Sequence, residues 1–521
     1  MFECTDTHRL TLLLIALLWA TPVLAQSGVS NGEWPAYAAD GGSTKYSALS
    51  QIDRGNVAGL EVAWRWQAAN FGPEPEFNYR VTPIMVDGVL YTTAGYRRVV
   101  VAIDAASGET LWMYRMDEGL RVDYAPRVNS GRGVSYWKDG TDERIFLITP
   151  GYHLVALDAK TGRPVPSFGQ SGVVDLKHGL DRPVDLIEAT IGSSSPPVVS
   201  NGVIVVGAAM LTGLNPVSKE NTPGFVRGYD ARTGERLWIF HTIPQPGELG
   251  HDTWENESWS YTGNAGVWAP FSVDEELGFV YLPTEAATGD YYGGHRLGDN
   301  LFSQSLVCLD IRTGERVWHF QMVHHGIWDY DNPSPPILVD VTVDGTAVKA
   351  VVQVTKQAFA YVFDRLTGDP IWPIEERPVP SSDIPGERTS PTQPFPSKPA
   401  PFDLQGLTVD DLIDFTPQLR AEAIEIASQY RTGPIFTPPS LEGAADGPKG
   451  LIQSPGQGGG SNWEGGAVDV ESGVLYVASV TRPIVRGLFN DREQSDMDFI
   501  DARWRLDGPQ GLPLTKPPWG R

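Results

Sequence analysis

Cysteine is nearly absent from this sequence. Of 521 residues only Cys4 and Cys308 are cysteines, and the first falls in a segment expected to be removed, so the mature chain has one thiol and an intramolecular disulfide is excluded. No Cys-x-x-Cys-His occurs, which argues against covalent haem in this polypeptide. Basic residues are also few: 40 Lys and Arg stand against 64 Asp and Glu, a formal net charge of −24. Such a surface disfavours nucleic acid, whose phosphates need clustered cations, and solubility accounts for the excess acid. No Gly-x-Gly-x-x-Gly follows a predicted strand and opens a helix, which argues against a nicotinamide enzyme. Beyond the N-terminus no run approaches the roughly 20 apolar residues that a spanning helix needs.

The N-terminus itself is informative. His8 and Arg9 precede the apolar run Leu10 to Ala20, and Thr21-Pro-Val-Leu-Ala25 leads to Gln26 with a small-x-small pattern at Val23-Leu24-Ala25. Residues 1–25 therefore read as a signal peptide and 26–521 as an exported chain, periplasmic or secreted.

Within that chain one motif recurs. Ala102-Ile-Asp-Ala-Ala-Ser-Gly-Glu-Thr-Leu-Trp112, Gly228 to Trp238, Cys308 to Trp318 and Val362 to Trp372 follow the template x-x-Asp-x-x-(Ser/Thr)-Gly-x-x-x-Trp, and Ala156 to Arg163 is a degenerate copy without the tryptophan. A strand ends at Asp, whose carboxylate and the Ser/Thr hydroxyl can bond a tight turn. Gly supplies positive φ, and a new strand runs to Trp. Asp-Gly in Pro83 to Tyr91 and Asn-Gly in Pro197 to Val205 add hairpin signals upstream. Repeated hairpins predict an all-β chain of antiparallel blades. The template aspartates 104, 158, 230, 310 and 364 are 54, 72, 80 and 54 residues apart, so long loops must decorate the scaffold. Pro378 to Pro401 reads as an extended loop. Val409 to Tyr430 reads as one or two short helices broken near Pro417, and the stretch 378–430 as an excursion from the β domain 26–521.

The template resembles the tryptophan-docking repeat of the pyrroloquinoline quinone (PQQ)-dependent alcohol, methanol and glucose dehydrogenases, which are eight-bladed β-propellers. The resemblance runs from Trp34-Pro-Ala-Tyr37 to the last line. Its sharpest part is His324-His325-Gly-Ile-Trp328-Asp329-Tyr-Asp331 followed, 27 residues after Asp329, by Lys356. It implies that Asp329 takes the substrate hydroxyl proton and that Lys356 bonds the quinone oxygens. It further assigns Arg132 to a PQQ carboxylate, Ser194 to a hydroxyl donor, and Trp268 to the quinone face. Thr288 and the pair Asn462-Trp463 are other cofactor contacts. PQQ in this family bridges to Ca2+ or Mg2+; Asp329 and Glu285 are the expected ligands, and the family's asparagine would fall near Ala286.

Several positions depart from the family. Pro126-Arg127 stands where methanol-type relatives carry adjacent cysteines, Arg127-Val128-Asn129 stands where glucose-type relatives carry a histidine, and Arg80 replaces a carboxylate before Thr82-Pro83. The expectation is a glucose- or sugar-type dehydrogenase that passes electrons to a membrane quinone or a separate cytochrome. The chain stops where relatives continue into closing blades. A non-catalytic propeller scaffold and a truncated, inactive family member therefore stay open as alternatives.

Overall fold

The computed structural model describes residues 28, 29, 31–68, 71, 76, 78–211, 215–443 and 447–521, and the main chain only of 503 and 504. The expected signal peptide and Cys4 lie outside these residues. The template turns form as their chemistry requires. In one of them the Asp230 carboxylate accepts from the Arg232 and Thr233 main-chain N–H groups at 2.9 and 2.7 Å, and Gly234, at φ 75°, donates to the Asp230 carbonyl.

Each such turn follows the third strand of a sheet of antiparallel neighbours. The first sheet orders Ile84–Val86, Val89–Ala94, Val99–Asp104 and Thr110–Tyr114; the second Ser135–Asp139, Asp142–Ile148, His153–Asp158 and Val173–Asp175. The third takes Val198–Ser200, Val203–Val206, Val226–Asp230 and Arg236–Phe240; the fourth Ser272–Asp274, Phe279–Pro283, Ser305–Asp310 and Arg316–Gln321. A fifth has three strands, Ile337–Val343, Thr346–Val354 and Ala360–Asp364, and Gly466–Asp469 pairs with Val474–Val477 beyond it. From the second sheet to this last hairpin, the first strands of consecutive sheets pack against each other.

The core lies between consecutive sheets. One buried cluster joins Val100 and Ala102 to Ile145 and Leu147, the next joins Phe146 and Leu154 to Ile204 and Val206, and further ones join Val205 to Val280 and Tyr281 to Val351. The template tryptophans bridge the same seams. Trp112, Trp238 and Trp318 lie over Gly162, Gly314 and Gly368, where a Cβ would stand 2.4, 2.6 and 2.6 Å from the indole. Their Nε1 atoms donate to the carbonyls of Ala159, Ile311 and Arg365 at 3.0, 2.9 and 3.2 Å. Only glycine leaves room for the ring. Where the degenerate copy has no tryptophan, Phe168 and Val174 cover Gly234 instead.

The excursion differs from expectation in one part. Thr392–Pro396 within the proline-rich stretch pairs with Ile374–Pro378. A two-stranded ribbon has free edges, so Pro394 and Pro396 can be accommodated without breaking a sheet. Downstream, Val409–Asp411 is a single 3-10 turn, and a helix runs over Pro417–Ala427 with Pro417 in its first turn and Thr416 capping the Leu419 N–H.

Candidate active site

Each sheet sends a connection toward one cleft of about 1240 Å3. Arg132, Ser194, Trp268, Asp331 and the pair Asn462-Trp463 lie three to six residues before the first strand of the second, third, fourth and fifth sheets and of the last hairpin. Because those first strands pack together, the side chains ahead of them converge. Lys356 arrives differently, from the tight turn between Thr346–Val354 and Ala360–Asp364, where Thr355 Oγ1 donates to the Phe359 carbonyl at 3.1 Å. The glycine run 458–460 lets another connection close over it: Gly459 has φ 75°, its Cβ would stand 2.6 Å from Lys356 Cα, and the Gly460 N–H donates to the Lys356 carbonyl at 2.9 Å.

At the buried end of the cleft the Lys356 ammonium donates to Asp329 Oδ1 at 2.8 Å, to the Asp329 carbonyl at 3.0 Å and to Asp331 Oδ2 at 3.0 Å. Asp331 also accepts from Trp268 Nε1 at 3.2 Å and from the Ala286 N–H at 2.7 Å. The two carboxylates are consequently unlike. Burial raises Asp329 to about 6 even though Lys356 opposes it. Burial would raise Asp331 too, but Lys356, the Ala286 N–H and the indole hold it below its usual range. Asp329 sits at φ 54°, a backbone state that aspartate tolerates better than most residues. Its N–H donates to the Asp290 carbonyl at 3.2 Å.

Arg132 lines the same cleft beside two indoles. Its Cζ lies 5.3 Å from the Trp268 ring centroid and 5.6 Å from that of Trp463, and its Nη1 donates to Ser194 Oγ at 2.6 Å. Its Nε is buried with no partner among the described residues. The side chain of Asn462 donates to the Gly458 carbonyl at 2.8 Å and accepts from the Trp463 N–H at 2.7 Å, which fixes that corner. Two aromatic faces, a guanidinium with an open donor, a hydroxyl and an ammonium above Trp268 at 5.9 Å fit a flat, polyanionic quinone.

The same does not hold for a divalent cation. Glu285 lines the cleft, raised to about 8 by burial and by the Asp331 charge, and Asp290 is raised well above its usual range. Yet the ammonium of Lys356 lies between Asp329 and Asp331, and among the described residues no group of three or more carboxylate, imidazole or thiol side chains is disposed to hold an ion. The expected ligands Asp329 and Glu285 share a cavity without forming a metal cage.

Thr288 does not reach the cleft. It is fully buried, its N–H donates to the Gly263 carbonyl and its own carbonyl accepts from Arg296 Nε at 3.0 Å, so it stands behind the wall. Asp331, Asp290 and Arg98 were not singled out from sequence. Asp331 could have been, since it closes the same His324 to Asp331 motif two residues after Asp329. Arg98 could not: it is buried and donates to the carbonyls of Arg127, Asn129, Ile148 and Ser193, contacts no pattern announces.

Comparison with known proteins places this geometry. Residues 34–521 match the family described as PQQ: glucose/ethanol/alcohol dehydrogenase, beta-propeller domain. The chain is 34% identical over 499 residues to a glycerol dehydrogenase large subunit of Gluconobacter oxydans (strain 621H), covering 93% of this chain and 64% of that protein. It is 31% identical to a quinoprotein glucose dehydrogenase of Escherichia coli (strain K12), with 96% and 65% covered. Among solved structures, the quinohemoprotein alcohol dehydrogenase ADHIIG of Pseudomonas putida HK5 superposes with TM-score 0.64 at 25% identity, covering 88% of this chain and 59% of that one. The chain thus spans just under two thirds of the curated relatives it matches, and with an all-β fold and a site suited to a flat quinone it belongs to the PQQ-dependent dehydrogenase β-propeller family.

Proposed function

We propose that this protein is an exported quinoprotein oxidoreductase that dehydrogenates a sugar or alcohol. The observation that carries the reading is the Asp329–Lys356–Asp331 cluster, set in a cleft walled by Trp268, Trp463 and Arg132. The relatives named for glycerol and glucose dehydrogenation support the substrate class.

Arg132, Ser194, Trp268, Lys356, Asn462 and Trp463 would hold PQQ. When bound, PQQ would supply an ortho-quinone as the two-electron acceptor for the hydride of the carbinol carbon. Asp329 accepts the hydroxyl proton, and a carboxyl raised to about 6 is ionised at neutral pH while remaining a competent base. Asp331 stays ionised and keeps Lys356 charged and in place. The Lys356 ammonium, 5.9 Å from the Trp268 ring centroid, would stabilise negative charge on an acceptor held at that face. The family typically adds a divalent metal. The Lys356 ammonium already neutralises Asp329 and Asp331, the carboxylates nearest to hand for one. Export rests on the N-terminal pattern, and the acceptor would be a membrane quinone or separate cytochrome.

The test is titration of the purified apoprotein with PQQ, with Ca2+ or Mg2+ supplied, followed by dye reduction over a sugar and alcohol panel. Saturable uptake and substrate-dependent reduction are expected, and absence of both would overturn the reading. The exchange Asp329→Asn should keep uptake and lower kcat by about 100-fold or more.

A further inference from the structure

The cleft gathers several guanidinium groups besides the one set against the indoles. Besides Arg132, it is lined by Arg80, Arg127, Arg482 and Arg505, the last paired with Asp507 at 2.8 Å. The other three form no ion pair among the described residues, although acidic residues outnumber basic ones 64 to 40 in the chain. Scattered surface charge for solubility does not gather unpaired cations in one concavity.

Arg127 is the most telling of them. Its guanidinium makes one long hydrogen bond, 3.4 Å to the adjacent Pro126 carbonyl. It lines the cleft with Glu285, Asp290, Asp329, Asp331 and Lys356, whereas Arg132 is taken up by the Trp268 and Trp463 rings and the Ser194 hydroxyl. None of those carboxylates comes within ion-pairing distance of Arg127. Its main chain is held from beneath, since Arg98 Nη2 donates to the Arg127 carbonyl at 2.8 Å and Nε to that of Asn129 at 3.2 Å. Arg80, tied among the described residues to Asn78 Oδ1 at 2.9 Å, lines the cleft with it. A half-buried, anchored guanidinium without an anion partner among the described residues is a place where a ligand carboxylate gains a charge-assisted bond.

We infer that Arg127, together with Arg80, binds a carboxylate of the substrate, so that the alcohol oxidised here is a hydroxy acid of the aldonate kind and not a neutral sugar. This rests on the dehydrogenase reading above. The substrate carboxylate keeps all its bonds: the carbinol carbon gives hydride to the quinone, the hydroxyl gives its proton to Asp329, and an oxo acid leaves.

Matched pairs test this. Gluconate and sorbitol, or glycerate and glycerol, differ by a carboxylate in place of a hydroxymethyl group. With the PQQ-loaded protein, kcat/KM for the acid should exceed that for its polyol by about 10-fold or more. In Arg127→Met the ratio should collapse toward one through KM, with the PQQ titration midpoint as in the parent. Equal or better turnover of the polyols by the parent protein overturns the inference whatever the variant does. A variant that loosens PQQ while the acid-to-polyol ratio holds overturns it too, by giving Arg127 to the cofactor. Failure of the parent protein to take up PQQ or to oxidise either member of a pair overturns the dehydrogenase reading itself and this inference with it.

Discussion

Asp329 and Asp331 share one ammonium, yet burial lifts the first while hydrogen bonds from an indole and a main-chain N–H hold the second down. Groups pushed apart in this way divide a base from a counter-ion. Removing their common partner should be felt in stability as well as turnover: Lys356→Met leaves two buried carboxylates unpaired and should cost about 3–5 kcal/mol, read from denaturant unfolding of the apoprotein. A second buried pair sits just ahead of this segment. His325 Nε2 lies 2.6 Å from Glu387 Oε1, with both side chains about 1% exposed. Burial would raise Glu387, but His325, the Gly293 N–H and Arg296 bring it down to about 2. A carboxyl depressed in the folded state stabilises it above the ordinary carboxyl pKa and loses that contribution as pH falls from about 4.5 toward 2. Glu387→Gln should therefore lower stability at neutral pH by about 3 kcal/mol and flatten its decline below pH 4.5, measured by thermal unfolding across pH. Of these residues, Asp329, Lys356, Arg132 and Trp268 were legible because they lie in motifs fixed by their neighbours in sequence. Arg98 and Glu387 were not, because their partners come from distant loops whose approach only the fold decides.

At the scale of the element, the repeat works as a latch between neighbouring sheets. The tryptophan ending one template lies on the glycine of the next and bonds the carbonyl just after its aspartate. Trp238→Ala should cost about 3–5 kcal/mol, and Gly314→Ala should also destabilise, since its φ of 73° and the Trp238 ring both oppose a methyl group. Urea unfolding of the two variants checks this. Cys308, buried in the fourth sheet and with its thiol pushed up by burial, should resist alkylation in the native protein and react on unfolding. The turns and their strands could be read from sequence because Asp, Ser/Thr and Gly act within a few residues of each other. The ribbon of Ile374–Pro378 with Thr392–Pro396 could not, since prolines mask a pairing that costs an isolated ribbon little. Thr288 was misplaced for a related reason: an offset from Trp268 says nothing about the bend that sets it behind the wall.

Over the whole molecule, the five template sheets follow one another in chain order, and the hairpin packed beside the fifth leaves Val474 and Tyr476 exposed at 43% and 60%. Such an edge favours pairing with another strand, and Tyr476→Lys should reduce any self-association of this chain seen by sedimentation. The connections that reach the cleft are tied together well below it. One buried side chain, Arg98, gathers carbonyls from the connection carrying Arg127, from the end of a second-sheet strand at Ile148, and from Ser193 next to Ser194. The main chain under the arginine rim and the main chain under the cofactor wall are thus set by the same guanidinium. A lineage could exchange the side chains at 80 and 127 many times over, trying one substrate after another, without retraining the scaffold that grips the quinone. In that sense Arg98 separates what this fold is free to change from what it must keep.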